Sequence, residues 1–246
     1  MTGRDLAPRD MFWQGRYRSE SRQLPTYRYG RVFFAGDAAH THSPAGAQGM
    51  NTGLQDAFHL GWKLSAALAG WAPEWLLDSY HAERHRVGAA VLALTAWQLR
   101  LNTARTRRRR ALRWGVQQLA VPPPGVRSWL ARNYSGISVR YPVTDGGHPM
   151  TGARLPPGHL TLPGGSVTRL YELFHDGRFV LLSPDGVPDG PPGCVKTVRY
   201  ARCSARLPRT VLVRPDGYVA WASAWRDPAR RQQETRAAVA RWCGPG

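Results

Sequence analysis

The chain has 246 residues, 42% of them hydrophobic and 20% charged, which is enough for one large domain or two ordinary ones, each with its own core. It contains no apolar run long enough to cross a membrane, and its opening residues, MTGRDLAPRDMFWQGRYRSE, lack the apolar stretch of a secretory signal, so a soluble, cytoplasmic protein without a membrane partner is expected. The net charge of +18 raises nucleic acid as a partner, but nearly all of it is arginine, with Lys63 and Lys196 the only lysines; such a bias follows from GC-rich coding, and no specific nucleic acid is expected.

Residues 11–34 alternate loosely between polar and apolar positions and end in Val32-Phe33-Phe34-Ala35, which predicts an extended approach and a buried strand. After a loop rich in Gly, Ala and Pro, a helix is expected from Met50 to Ala69, with Leu54, Phe58, Gly61, Trp62, Ser65 and Leu68 on one face. Trp71-Ala72-Pro73 breaks it. A second helix beginning near Pro73 and running to Asn102 places Leu77, Tyr80, Val87, Val91, Leu94 and Leu101 on its apolar side. Shorter helices at 107–121 and 124–134 are divided by Pro122, Pro123 and Pro124.

The run Arg105-Thr106-Arg107-Arg108-Arg109-Arg110 reads as a solvated helix face. Residues 140–165 are rich in Gly, Pro and His and read as a linker. A smaller α/β unit follows, with a short helix at 168–175, strands at 179–182 and 195–200, a hairpin of Thr210–Val213 and Tyr218–Trp221 about Pro215-Asp216-Gly217, and a final helix at 228–242.

Cys194, Cys203 and Cys243 are odd in number, widely spaced and without a C-x-x-C pattern, so they read as ordinary thiols rather than a disulfide framework or metal site. His81, Glu83 and His85 do not form the H-E-x-x-H zinc arrangement, and pairing of Glu83 with Arg84 or Arg86 is expected instead of metal. His40 and His42 are expected to pack the loop.

The stretch that carries chemistry is GRVFFAGDAAHTHSPAGAQGMNTGLQDAFHLGWKL, residues 30–64. Gly36 and Asp37 follow the strand, at the strand ends where α/β sheets bind ligands. Gly36 permits close backbone approach, and the Asp37 carboxylate can accept hydrogen bonds from vicinal hydroxyls. Pro44, Gly46 and Gly49 shape a loop that leads into the helix near Met50, whose unpaired amides and dipole favour negative charge.

This stretch resembles the second FAD motif of the group A flavoprotein monooxygenases, the family of para-hydroxybenzoate hydroxylase, and within it the branch acting on phenols and aromatic polyketides. The likeness covers Arg31–His40, Pro44–Asn51, Asp56 and Trp62-Lys63-Leu64, continues through Leu76–His85 and Asn133–Ile137, and returns at Val213–Trp221, in what resembles the thioredoxin-like tail of that branch. Ala47 stands where the family usually has Gly, and His59 where it usually has Asn.

The resemblance implies FAD as cofactor, NAD(P)H as reductant, and O2 and an aromatic small molecule as substrates, with oxygen transferred from a flavin hydroperoxide to the ring. It implies that Asp37, beside Gly36, holds ribityl or ribose hydroxyls, that Pro44 lies beside the flavin's reactive edge within the loop turned by Gly46, and that Gly49, Met50 and Asn51 present amides to the pyrimidine ring. In this family the tail lacks redox cysteines.

The fold class is therefore expected to be α/β. A partial FAD-binding domain occupies 1–139, with strand end and long helices but without the amino-terminal Rossmann part; a linker spans 140–165; and a thioredoxin-like α/β domain spans 166–246. No G-x-G-x-x-G occurs in the sequence, and residues 11–29 read as the last strand or two of the substrate-binding sheet. Three readings stay open: a truncated product, ranked first; a subunit of a split enzyme whose amino-terminal half is a separate chain; or a non-enzymatic remnant. Purified alone, such a chain is expected to be colourless and aggregation-prone.

Overall fold

The structure, a computed structural model, describes residues 10, 12, 13, 15, 20–43, 48–102, 106, 111, 114, 115, 123–143, 147–185 and 192–244. Most of the expected helix at 107–121 lies outside these residues, its described positions Ala111, Trp114 and Gly115 being helical; most of the arginine run and Pro44, Ala45, Gly46 and Ala47 also lie outside them.

The first part opens with short antiparallel pairs. Strand β1 (Arg22–Gln23) pairs with β4 (His40–Thr41), and β2 (Arg28–Tyr29) pairs with β3 (Val32–Phe33). The run Val32–Ala35 is thus not the buried strand expected: only two residues are strand, and Val32 is 56% exposed. Among the described residues β3 has a single neighbouring strand; Phe33 and Phe34 instead pack against a small cluster of Tyr27, Ala39 and Tyr80.

Helix α1 (Gly49–Leu68) packs against α2 (Trp75–Asn102). Both match their expected extents closely, but of the face expected to be buried on α1 only Trp62 is. Its buried side is Thr52, Asp56, His59, Trp62, Lys63 and Ala66. Leu54, Phe58 and Leu68, expected in the core, are 63%, 62% and 90% exposed. The polar side turns inward because charged partners on α2 and the tail await it, while Leu54 and Phe58 only line a cleft beside Tyr141 and Arg154.

On α2, Gly88 makes room for Tyr27, since a Cβ there would come within 2.4 Å of the Tyr27 hydroxyl. Helix α3 (Pro124–Tyr134) begins on a proline, as expected. No described helix is long and apolar enough to cross a membrane.

The stretch 140–165 is packed, not a bare linker. Tyr141, Leu155 and Leu160 are buried anchors among its glycines and prolines. Gly152 donates its amide to Val219 O (2.9 Å) and Leu155 donates to Gly217 O (2.9 Å), fastening the stretch to the hairpin. Gly152 has φ +77°, and a Cβ there would fall 2.2 Å from Tyr141 O, so only glycine fits.

In the tail, β5 (His159–Thr161) lies between β6 (Val167–Arg169) and β9 (Arg202–Cys203). The helix expected at 168–175 is β6 followed by a 3-10 turn, Leu170–Phe174. The main sheet runs β11-β10-β7-β8, comprising β7 (Phe179–Ser183), β8 (Val195–Arg199), β10 (Thr210–Val213) and β11 (Val219–Ser223). The pair β7–β8 is parallel, and the other pairs are antiparallel. One parallel pair followed by an antiparallel hairpin and a helix is the arrangement that a thioredoxin-like unit requires.

Helix α4 (Pro228–Cys243) closes the chain, capped by Asp227 accepting from the Ala229 amide at 3.0 Å. Strands β7, β10 and β11 read as near-continuous apolar runs because both sheet faces are covered there, whereas β8 at the edge alternates as Val-Lys-Thr-Val-Arg. Val180, Leu182, Val211 and Val213 face Leu155, Leu160 and Leu170. Phe179, Leu181, Leu212 and Ala220 face α4, together with Trp62 and Ala66 of α1 and Leu76 of α2. That second core joins the two parts of the chain.

Candidate functional site

Gly36 has φ +57° and opens a 3-10 turn, Gly36–Ala38, packed on the first turns of α1. The contact is backbone to backbone: a Cβ on Gly53 would lie 3.3 Å from the Gly36 Cα. Beneath the turn, the fully buried Asp56 carboxylate accepts from the Gly36 amide (3.1 Å), His40 Nε2 (2.7 Å) and Arg84 Nε (2.6 Å). Burial alone would raise the Asp56 carboxyl, but the hydrogen bonds from His40 and Arg84 and the Arg84 charge outweigh it and hold it below the usual carboxylate range. Arg84, also fully buried, donates further to Thr52 O (3.2 Å) and the Tyr141 hydroxyl (3.2 Å). The turn is thereby fixed from below.

Above it, Asp37 is exposed, and its carboxylate bonds to no described residue. At the start of α1, Gln48 supplies no side-chain cap, and the first turn carries no acid. The first intrahelical bond runs from the Thr52 amide to Gln48 O at 3.0 Å, so the amides of Gly49, Met50 and Asn51 have no acceptor among the described residues. Met50 and Asn51 are both exposed, leaving this end of the helix open. Gly49 abuts the His42 ring; a Cβ there would be 3.3 Å from its Cε1.

Of the residues singled out in the sequence, Gly36, Asp37, Gly49, Met50 and Asn51 therefore gather on one side of the α1 start, and Pro44 and Gly46 lie outside the described residues. An open helix start without a first-turn acid, beside an exposed carboxylate on a positive-φ glycine turn, is a donor and acceptor set that suits a flavin: amides for its electron-rich pyrimidine end and a carboxylate for its polyol.

A second cluster of charge was not legible in the sequence. Glu83 does not pair with Arg84 or Arg86 as expected. It pairs with Lys63 (3.1 Å), Arg214 (2.8 Å) and His59 (2.5 Å). Adjacent helix residues point about 100° apart, which turns Arg84 to Asp56 and Glu83 to the tail.

Arg214 also binds Asp216, its Nε to Oδ1 at 3.0 Å, and Trp62 Nε1 donates to Asp216 Oδ2 at 3.0 Å. The Pro215-Asp216-Gly217 turn is thus more than hairpin chemistry, because its flanking charges enter the core between the helices. Burial first, then the Lys63 charge, pushes His59 down to about 4, and burial pushes Lys63 down to about 7. Burial would raise the Glu83 carboxyl, but Arg214 and Lys63 hold it well below its usual range. The one signal that could have found this cluster is the Arg-x-Asp spacing across so short a turn.

Comparison with known proteins points to the same cofactor, FAD. Residues 1–95 match the family described as FAD binding domain, and residues 148–246 match the family described as aromatic-ring hydroxylase, C-terminal. The chain is 43% identical over 229 residues to an uncharacterised aromatic compound monooxygenase of Bacillus subtilis, covering 89% of this chain and 45% of that protein. It is 41% identical to the rifampicin monooxygenase of Streptomyces venezuelae, covering 98% and 48% respectively. Among solved structures, the anhydrotetracycline hydroxylase OxyS of Streptomyces rimosus superposes with a TM-score of 0.79 at 38% identity, covering 92% of this chain and 47% of that one. The chain spans about half the length of the curated relatives it matches.

Proposed function

Because this chain belongs to the FAD-binding aromatic-ring hydroxylases, we propose that it supplies the flavin-ring side of the cofactor site in an NAD(P)H-dependent, cytoplasmic hydroxylase of phenolic or polyketide rings. The observation that carries this reading is the uncapped start of α1 at Gly49–Asn51, set beside the exposed Asp37 on the Gly36 turn.

Asp37 accepts hydrogen bonds from the hydroxyls of the FAD polyol, and Gly36 lets that polyol approach the backbone. The amides of Gly49, Met50 and Asn51 point toward the pyrimidine end of the ring, where they favour negative charge by about 1 kcal/mol or somewhat more. Pro44 and Gly46 shape the loop at the reactive edge. Asp56, held by His40 and Arg84, keeps the Gly36 amide and the helix start in one fixed arrangement. When bound, FAD supplies the redox chemistry that takes reducing equivalents from NAD(P)H and activates O2; the protein supplies position, dipole and shielding.

The same reading divides the chain into a hydroxylase part (1–139), a connecting stretch (140–165) and a tail (166–246). An amino-terminal half, whether on the same polypeptide or on a separate one, holds the ADP end of FAD and covers the exposed Leu54, Phe58 and Leu68.

Riboflavin titration of isotope-labelled chain, followed amide by amide in NMR spectra, tests the site. Shifts concentrated at Gly36, Asp37 and Gly49–Asn51, and abolished by Asp37→Ala, are expected. Shifts elsewhere, or none at saturating riboflavin, would overturn the reading.

A further inference from the structure

A cavity of about 440 Å3 opens where the two parts of the chain meet, walled by α2, the 140–165 stretch, β11 and α4. No described residue of α1 or of the Gly36 turn lines it, so it is separate from the proposed flavin contacts. Its size lies within the range of small-molecule sites. Trp75, Ser79 and Glu83 line it at four-residue spacing, from one face of α2, and Glu234, Ala237, Ala238 and Arg241 line it from one face of α4.

The chemistry of the lining selects a ligand. Trp75, Tyr141, Trp221 and Trp242 supply aromatic walls. Trp75 and Trp242 meet edge to face, with centroids 4.9 Å apart and planes at 77°. They therefore offer surfaces at nearly a right angle, one for the face of a flat ring system and one for its edge. Much of the remaining lining is small, including Ala82, Gly152, Ala237 and Ala238, and leaves the space between the walls open.

Glu83 and Arg214 also line the cavity, but their charges are already paired. Arg214 donates to Glu83 Oε1 (2.8 Å) and Asp216 Oδ1 (3.0 Å), while Lys63 and His59 hold Glu83 Oε2. The cations Lys63 and Arg214 thus balance the carboxylates Glu83 and Asp216. Glu234, itself paired with Arg230 (3.1 Å), and Arg241 add one charge of each sign to the lining. A charged ligand would lose its hydration here without gaining an unmatched counter-charge.

We propose that this cavity is a ligand site for an uncharged, flat, polycyclic aromatic molecule, held at the junction of the hydroxylase part and the tail. A ligand in it touches α2, β11 and α4 together, so its binding fastens the tail against the long helix and stabilises the folded chain.

The test titrates the whole isotope-labelled chain with naphthol. Saturable shifts are expected at the indole N–H groups of Trp75, Trp221 and Trp242 and at the amides of Gly152, Ala220 and Ala237, with a dissociation constant of about 0.1 mM or tighter. The melting temperature should rise by about 3 °C or more with naphthol at about ten times that constant. Ala237→Trp, at an exposed position of α4, fills the cavity and should weaken binding at least about tenfold while the unliganded chain melts as before. Trp75→Ala should weaken it about tenfold, and Trp75→Phe should restore most of the loss. Naphthoate, with a carboxylate on the same rings, should bind about tenfold more weakly than naphthol.

Shifts centred on Leu54 and Phe58 or on Gly36 and Asn51, naphthoate binding as tightly as naphthol, or unchanged affinity in both folded variants would each overturn the proposal. So would the same shifts on raising protein concentration alone, since a second copy would then fill the cavity. No readout depends on bound flavin, and riboflavin is expected to move a different set of amides, so this test and the riboflavin titration fail independently.

Discussion

Two buried charge clusters flank α1, and they are built for different tasks. Under the Gly36 turn, Asp56 and Arg84 form a compact clamp whose groups lie on α1, α2 and the adjoining loop. Toward the tail, Glu83 and Lys63 of the helices meet Arg214 and Asp216, brought from far along the chain by the hairpin turn. Tyr141 touches both: its hydroxyl accepts from Arg84, and its ring lies 5.1 Å from the Arg214 guanidinium. The first cluster fixes a local backbone shape beside the proposed flavin contacts. The second fixes where a whole domain sits, which demands more charges in exact register and leaves more of them stranded if one is lost.

That contrast can be broken experimentally. Arg214→Met is expected to have the largest effect, about 3–5 kcal/mol of lost stability in urea unfolding, because Glu83 and Asp216 would both remain buried with one cation fewer. Asp56→Ala strands a single cation, Arg84, and releases the Gly36 amide; about 3 kcal/mol is expected by the same measurement. If Asp56→Ala proves the more damaging, the tail junction is not the more demanding of the two.

The smallest effect sharpens the comparison through pH. His59 belongs to the tail-side cluster, and its folded value of about 4 lies below the ordinary histidine value. Its neutral form stabilises the fold fully above about pH 6.5, and that contribution is lost as pH falls toward about 4, amounting to about 2 kcal/mol between roughly pH 7 and pH 5. Asp56 and Glu83 are depressed carboxyls, so their contributions persist to lower pH and are lost only as pH falls through their folded values. Urea midpoints should therefore decline already between about pH 7 and 5, and His59→Asn should flatten that decline while leaving the loss at stronger acid in place.

The comparison also separates what could be read early from what could not. The residues of the proposed flavin site lie within one short stretch, Gly36 to Asn51, so turn chemistry and the helix start were legible from spacing, and the structure sets the described ones side by side. The orientation of α1 was not legible. Leu54, Phe58 and Leu68 have the periodicity of a core face, but periodicity identifies a stripe without saying which stripe finds partners. Asp56 and Lys63 took the inside because Arg84 and Glu83 were there to neutralise them, and His59 bonds to the same Glu83. The stretch 140–165 misled in the same way: its composition is that of a connector, whereas three apolar anchors and one obligatory glycine pack it onto the hairpin.

The sequence by itself determined the two long helices, the hairpin, the closing helix and the residues gathered at the start of α1, because each depends on local periodicity, turn propensity or a compact motif. Only the tertiary structure decided that Arg214 reaches Glu83 and that α1 turns its charges inward. Those pairings join residues distant along the chain, and their strength comes from burial in a shared core, which no local pattern of residues encodes.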